Sequence, residues 1–153
     1  MVEARNNKWV GSWTSTPAPV EGGALDGQTI RMIARVSIGG QTLRLRLSNA
    51  YGLRKLTIGA THVARRLNGA AIDPGSDQAV TFNGAPTTTI GAGALIVSDP
   101  IELDLTPLSD LAVSIYLPDT LDNSFQVTGR GNTRQISYLS PQGDFSAAAD
   151  MPE

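Results

Sequence analysis

The single histidine, His62, is the residue of this chain best suited to general-base chemistry, because an imidazole exchanges a proton near neutral pH. A catalytic histidine needs a carboxylate that orients its ring and a nucleophile within hydrogen-bond reach. No Asp or Glu lies within ten residues of His62 on either side. We therefore interpret His62 as a half-buried strand residue, while partners that are distant in sequence stay open.

No other pattern in the sequence is typical of catalysis. There is no Gly-x-Ser-x-Gly elbow, no glycine-rich phosphate loop and no cysteine. The stretch Gly143-Asp144-Phe145-Ser146 is superficially similar to a Gly-Asp-Ser nucleophile block, but Phe145 displaces the serine and no apolar strand precedes it. The sequence therefore predicts that this chain alone lacks catalytic residues.

Oxygen-bearing side chains cluster at Asp73, Ser76 and Asp77, where they could contribute ligands to Ca²⁺. A calcium cage needs about six or more oxygen ligands, and the local sequence supplies few. The same spacing is typical of a solvated turn in which Asp side chains bond to the backbone. We favour the turn, and we expect neither a metal site nor a cofactor.

Trp9 and Trp13 are four residues apart, so they lie on the same side if the segment is a strand. Aromatic faces stack on the apolar faces of sugars, which makes a carbohydrate platform one interpretation. Packing into the core is the simpler interpretation, because only 5% of the residues are aromatic.

Leucines and arginines alternate along Thr42–Ser48, so they must occupy opposite faces of a strand. The leucines are predicted to face the core, and Arg44 and Arg46 to face outward. Gly39-Gly40 is typical of a two-residue hairpin loop, which would place the preceding strand beside this one. In that arrangement Arg31 and Arg35 join Arg44 and Arg46 in a four-residue arginine stripe.

The 153 residues suffice for one domain with a conventional core, and nearly every segment has the composition of a short strand. The predicted strands are Lys8–Thr14, Thr29–Ser37, Thr42–Ser48, Leu56–Arg66, Ala79–Phe82, Thr87–Ile90, Ile101–Leu105, Leu111–Leu117, Phe125–Thr128 and Arg134–Leu139. About ten short antiparallel strands indicate an all-β sandwich with jelly-roll topology. We expect a single domain over residues 1–145 and a flexible tail, or the start of a linker to a missing catalytic domain, over residues 146–153.

Charge is divided unevenly along the chain: residues 1–76 carry a formal +6 and residues 77–153 carry −8. If strands of the two halves pair, these charges offset each other within the domain. The net charge of −2 and the pI near 5.3 argue against nucleic acid as a partner. No apolar run is long enough to cross a bilayer, so no membrane partner is expected, and the first residues lack the apolar stretch of a secretory signal.

Several stretches, in order across nearly the whole chain, resemble the N-terminal β-sandwich region of bacterial SGNH/GDSL-type hydrolases. They are Trp9–Thr14, Gln28–Arg31, Leu43–Gly52, Leu56–Gly59, Val80–Gly84, Gly93–Pro100 and Ser137–Asp144. In that family the sandwich precedes an α/β/α domain with a Gly-Asp-Ser block, an oxyanion Gly and Asn, and an Asp-x-x-His motif, none of which occurs here. Where the family often has a histidine, this sequence has Arg130.

The resemblance implies a non-catalytic accessory domain of an esterase, which docks on the hydrolase domain and shapes its substrate entrance. It also favours a secreted or periplasmic location. The alternative is a carbohydrate-binding module that delivers an esterase to acylated polysaccharide. The expected partner is thus the hydrolase domain, or acylated carbohydrate under the alternative. The candidate contact residues are Arg44, Arg46, Ser48, Asn49, Tyr51 and Arg130.

Overall fold

The computed structural model describes residues 8–21, 23–122, 124, 126–130 and 134–152. In this part of the chain, every regular element except one short 3₁₀ turn (Pro74–Ser76) is a β-strand, and all strand pairs are antiparallel. The strands are β1 (Pro17–Glu21), β2 (Leu25–Arg35), β3 (Gly40–Leu43), β4 (Arg46–Ser48), β5 (Leu56–Ile58), β6 (Ala60–Asn68), β7 (Ala71–Ile72), β8 (Gln78–Ala79), β9 (Thr88–Ile90), β10 (Leu95–Val97), β11 (Ile101–Leu105), β12 (Asp110–Leu121), β13 (Gln126–Arg130) and β14 (Ser137–Gln142).

The predicted all-β class with packed antiparallel sheets is confirmed, and the jelly-roll topology stays a prediction. The described strands outnumber the ten that were predicted because Thr42–Ser48 and Leu56–Arg66 are each divided in two. In addition, β1, β7 and β10 were not predicted. Phe125 and Glu153, which were assigned to a strand and to the tail, lie outside the described residues.

A six-stranded sheet has the order β14-β2-β12-β6, with β7 and β8 both paired to β6. Its central strand, β12, has five consecutive buried residues, Leu111–Ile115. Consecutive burial means that both faces of the sheet are covered. The inner face contributes Val113 and Ile115 to the main core, whereas Ala112 on the outer face belongs to a second, smaller core with Ile33 and other residues.

Four two-stranded pairs form the layer opposite the six-stranded sheet: β1 with β13, β3 with β11, β4 with β10 and β5 with β9. Leu43, Leu45 and Leu47 pack against the main core, while Arg44 and Arg46 are exposed. The predicted alternation of leucines inward and arginines outward is therefore confirmed.

Strands of the basic half pair with strands of the acidic half, so the uneven charge is largely offset inside the domain. β2, β3 and β4 pair with β12, β11 and β10, respectively. Asp110 at the start of β12 accepts hydrogen bonds from Arg35 at 3.3 Å and from Arg66 at 3.0 Å.

The predicted Gly39-Gly40 hairpin is wrong, and the four-residue arginine stripe does not form. β2 already has β12 on one side and β14 on the other, so the chain leaves this sheet after Arg35 and β3 pairs with β11. Gly39 permits this crossing, because a Cβ there would lie 2.1 Å from the carbonyl oxygen of Leu105. Arg31 and Arg35 are therefore in a different layer from Arg44 and Arg46.

The predicted strand over Lys8–Thr14 is also not observed, because this segment joins no ladder. It is held instead through Ser12. The Ser12 hydroxyl donates to the carbonyl of Ile38 at 2.7 Å, and the Ser12 carbonyl accepts from the backbone and the hydroxyl of Ser37.

Residues 143–151, here called the C-terminal strap, cover the outer face of the six-stranded sheet. The amide of Ile72 donates to the carbonyl of Ala149 at 2.8 Å, and the amide of Phe145 donates to the hydroxyl of Thr29 at 2.9 Å. Ser146 and Met151 are buried. The segment that was predicted to be a flexible tail is thus packed against the sheet through 151, by backbone hydrogen bonds and by the buried side chains of Ser146 and Met151.

Arg31 lies under the strap and is completely buried, with 0% of its surface exposed. Its Nε donates to the hydroxyl of Ser114, and its Nη1 and Nη2 donate to the carbonyls of Ala70 and Ala148, each at 2.7 Å. Burial lowers the pKa of Arg31 from its ordinary value, and the nearby Asp150 and Asp77 carboxylates oppose this shift. One guanidinium therefore joins β2, β12, the β6–β7 turn and the strap.

Replacing this guanidinium should destabilise the fold more than replacing an exposed one. Arg31→Met removes the donor to the buried Ser114 hydroxyl and to two half-buried carbonyls, so we expect a loss of about 2 to 5 kcal/mol in the free energy of unfolding. Arg35→Met, in the same strand but exposed, should cost within about 1 kcal/mol. Urea unfolding of the two variants provides the comparison, and equal losses would contradict the anchoring role of Arg31.

Candidate docking surface

The outer face of the β4–β10 pair combines exposed aliphatic side chains with arginines. Val97 lies directly opposite Arg46, and Leu95 lies directly opposite Ser48, so all four point away from the core. Leu95 is 51% exposed and Val97 is 41% exposed. Together with Arg44, these residues are called the β4–β10 face.

Arg44 lies against an indole ring. Its guanidinium carbon lies 4.8 Å from the centre of the Trp9 ring, which is a cation–π contact. A hydrogen bond from the Thr81 hydroxyl, followed by one from the Gly84 amide, lowers the pKa of Asp99, and the positive charge of Arg44 adds to this shift.

Asn49 is buried and acts as an internal support of the turn that follows β4. Its amide nitrogen donates to the carbonyls of Arg54, Ile90 and Gly91 at 2.8, 3.2 and 3.1 Å. A side chain at Gly52 would collide with it, because a Cβ there would lie 1.8 Å from Oδ1 of Asn49. Asn49 is thus not available to contact a partner.

Tyr51 is the exposed member of the same turn. Its amide donates to the hydroxyl of Thr128 at 2.8 Å, and its carbonyl accepts from the side chain of Gln126 at 2.7 Å. These bonds hold the turn against β13. The phenol lies three residues beyond the end of β4.

Arg130 belongs to a separate cluster. Its Nη2 donates to the hydroxyl of Ser137 at 2.6 Å and its Nη1 to the carbonyl of Ile33 at 3.3 Å, so it joins β13 to β14 and β2. Partial burial lowers its pKa from the ordinary value. The ring of Trp13 lies beside it, with 5.5 Å from the guanidinium carbon to the ring centre.

Of the six candidate residues, the structure brings Arg44, Arg46 and Ser48 together on one face. The sequence analysis missed Leu95 and Val97, since β10 was not predicted. The run Leu95-Ile96-Val97 after Gly93 is a signal that would have identified this strand, because aliphatic and β-branched residues favour strands.

His62 has a carboxylate partner that the sequence analysis did not find. Its Nδ1 lies 2.8 Å from Oδ2 of Asp77, fifteen residues away, because β8 pairs with β6. Ser114 lies directly opposite His62 on β12. This serine is buried and its hydroxyl accepts a hydrogen bond from Arg31. Ser114, His62 and Asp77 therefore resemble a Ser-His-Asp triad in residue types only.

The other candidate motifs are turns with internal bonds. Asp73 accepts from the amide of Gly75 at 3.0 Å and from Arg65 at 3.0 Å, while the hydroxyl of Ser76 donates to the carbonyl of Asp73 at 2.7 Å. Ser146 is buried and donates to the carboxylate of Asp144 at 2.6 Å. The hydroxyls of Ser76 and Ser146 are both buried.

The purified chain should therefore not hydrolyse p-nitrophenyl acetate above the rate in buffer, since the serine opposite His62 is buried and bonded to Arg31. The measurement is the release of p-nitrophenolate by the wild-type chain and by Ser114→Ala and His62→Ala. Activity that survives repurification and disappears in either variant would contradict this.

The chain matches no protein-family model, and no curated protein matches it. Among the described residues, no helix is long and apolar enough to span a membrane.

Proposed function

We propose that this chain is a non-catalytic accessory domain of a bacterial SGNH/GDSL-type esterase. Its β4–β10 face docks on the hydrolase domain and shapes the entrance for the ester substrate. The observation that carries the proposal is the exposure of Leu95 and Val97 beside Arg44 and Arg46 on one sheet face. The collinear resemblance to the N-terminal region of these esterases supplies the identity of the partner.

The composition of the face suits a protein partner. Protein interfaces combine an apolar centre with arginine, which stacks and donates up to five hydrogen bonds from a planar group. Arg46 makes no hydrogen bond or ion pair to another described residue, so its donors are available. The complementary patch on the hydrolase domain would be apolar with Asp or Glu at its margin.

In this proposal the ester chemistry belongs entirely to the hydrolase domain. The accessory domain contributes a rigid wall, because β4 and β10 are fixed on the main core through Leu47 and Ile96. A secreted or periplasmic location follows from the same resemblance.

Calorimetric titration of the chain with a separately expressed SGNH-type hydrolase domain tests the proposal. We expect binding that weakens about tenfold or more in Arg46→Ser/Val97→Ser, because an apolar contact and a charged donor are lost together. Binding should also weaken with added salt in the wild type, and less so in the variant.

The matched control is Arg134→Ser/Leu67→Ser, which replaces an exposed arginine and an exposed aliphatic residue elsewhere on the surface. This control should bind like the wild type. Absence of binding at low and high salt, or equal weakening in both double variants, would overturn the proposal.

A carbohydrate-binding module is the second candidate function. It is favoured by the exposure of both tryptophans, Trp9 at 51% and Trp13 at 38%. The sequence interpretation that placed these rings in the core is thus wrong. Acylated polysaccharide would be the partner in this case.

A further inference from the structure

Two indole–guanidinium pairs lie along one short segment at the surface. Trp9 pairs with Arg44 at 4.8 Å, and Trp13 pairs with Arg130 at 5.5 Å. Each arginine lies over its ring, and each ring keeps more than a third of its surface exposed. These four residues are called the Trp–Arg strip.

The Arg130 end of the strip and the backbone between its two tryptophans are held in place by hydrogen bonds to the rest of the protein. Arg130 is fixed by Ile33 and Ser137, as described above. Between the tryptophans, Ser12 is tied to residues 37 and 38 by its hydroxyl and its carbonyl. The rings are therefore preorganised, which lowers the entropic cost of binding a ligand across them.

We propose that the Trp–Arg strip binds an oligosaccharide that carries carboxylate groups. This inference rests on the second candidate function and narrows it to one class of ligand. Sugar C–H faces would stack on the open faces of Trp9 and Trp13, while sugar carboxylates accept charge-assisted hydrogen bonds from Arg44 and Arg130. Four residues span at most about 14 Å, a length that a short oligosaccharide covers.

The net charge of the chain favours a carboxylated oligosaccharide over single-stranded nucleic acid as the ligand. Single-stranded nucleic acid also combines stacking with phosphate contacts, but it requires a cationic groove that follows the backbone. The chain has a net charge of −2, and the strip holds two arginines, one at each tryptophan. A ligand with spaced carboxylates fits two isolated guanidinium groups better than a continuous phosphate backbone does.

The test is calorimetric titration of the chain with polygalacturonate, using neutral galactan, poly-L-glutamate and oligo-dT as comparisons. We expect polygalacturonate to bind at least about tenfold more tightly than each comparison polymer. Trp9→Ala and Trp13→Ala should each weaken this binding severalfold. Thermal melts establish that these variants are folded.

Arg44→Gln keeps the test decisive if a tryptophan variant does not fold, because Arg44 is exposed and outside the core. It should weaken the binding of polygalacturonate about fivefold or more. Arg134→Gln, the matched control at an exposed arginine outside both the strip and the docking face, should leave this binding unchanged.

Each alternative result overturns the proposal. If galactan bound as tightly as polygalacturonate, the chain would still be a carbohydrate-binding module, but the ligand would not need carboxylates. Equal binding of poly-L-glutamate or oligo-dT would mean that charge or stacking alone is recognised. No binding of any polymer would remove both the inference and the second candidate function, while the docking titration would be unaffected.

Discussion

The buried guanidinium of Arg31 is the interaction on which the arrangement of this domain depends. A charged group without exposure is tolerated only when its donors are satisfied, and here they meet one hydroxyl and two backbone carbonyls at 2.7 Å. Two of these acceptors, Ala70 and Ala148, lie in the β6–β7 turn and in the C-terminal strap. Arg31 therefore adds a charged anchor to the backbone bonds and buried side chains, such as Met151, that hold these segments on the sheet.

Because the strap is anchored, the two outer faces of the sandwich are unequal. The outer face of the six-stranded sheet is closed by the strap and by Ile72, and its polar row of His62, Ser114 and Arg31 is engaged internally. The outer face of the opposite layer has no such cover among the described residues. Arg46, Leu95 and Val97 are exposed there, which is why we propose that layer as the recognition surface.

Local patterns in the sequence were sufficient for part of this account. The alternation over Thr42–Ser48 identified both the inward leucines and the outward arginines, because period two leaves only one choice once the core face is known. Features that depend on pairing between distant segments could not be predicted from local patterns. The partner of His62 is fifteen residues away, and Gly39-Gly40 has hairpin composition although it joins two layers. The strap has the composition of a tail, and much of what holds it is backbone hydrogen bonding, which every residue can provide.

The claim that the β4–β10 face is the recognition surface is tested most directly by amide hydrogen exchange, measured by mass spectrometry on the chain alone and with an SGNH-type hydrolase domain. The account predicts slower exchange on binding within residues 44–48 and 93–97, with exchange in the strap, residues 143–151, already slow and unchanged. Protection confined to the strap or to β14, with none at the β4–β10 face, would contradict it.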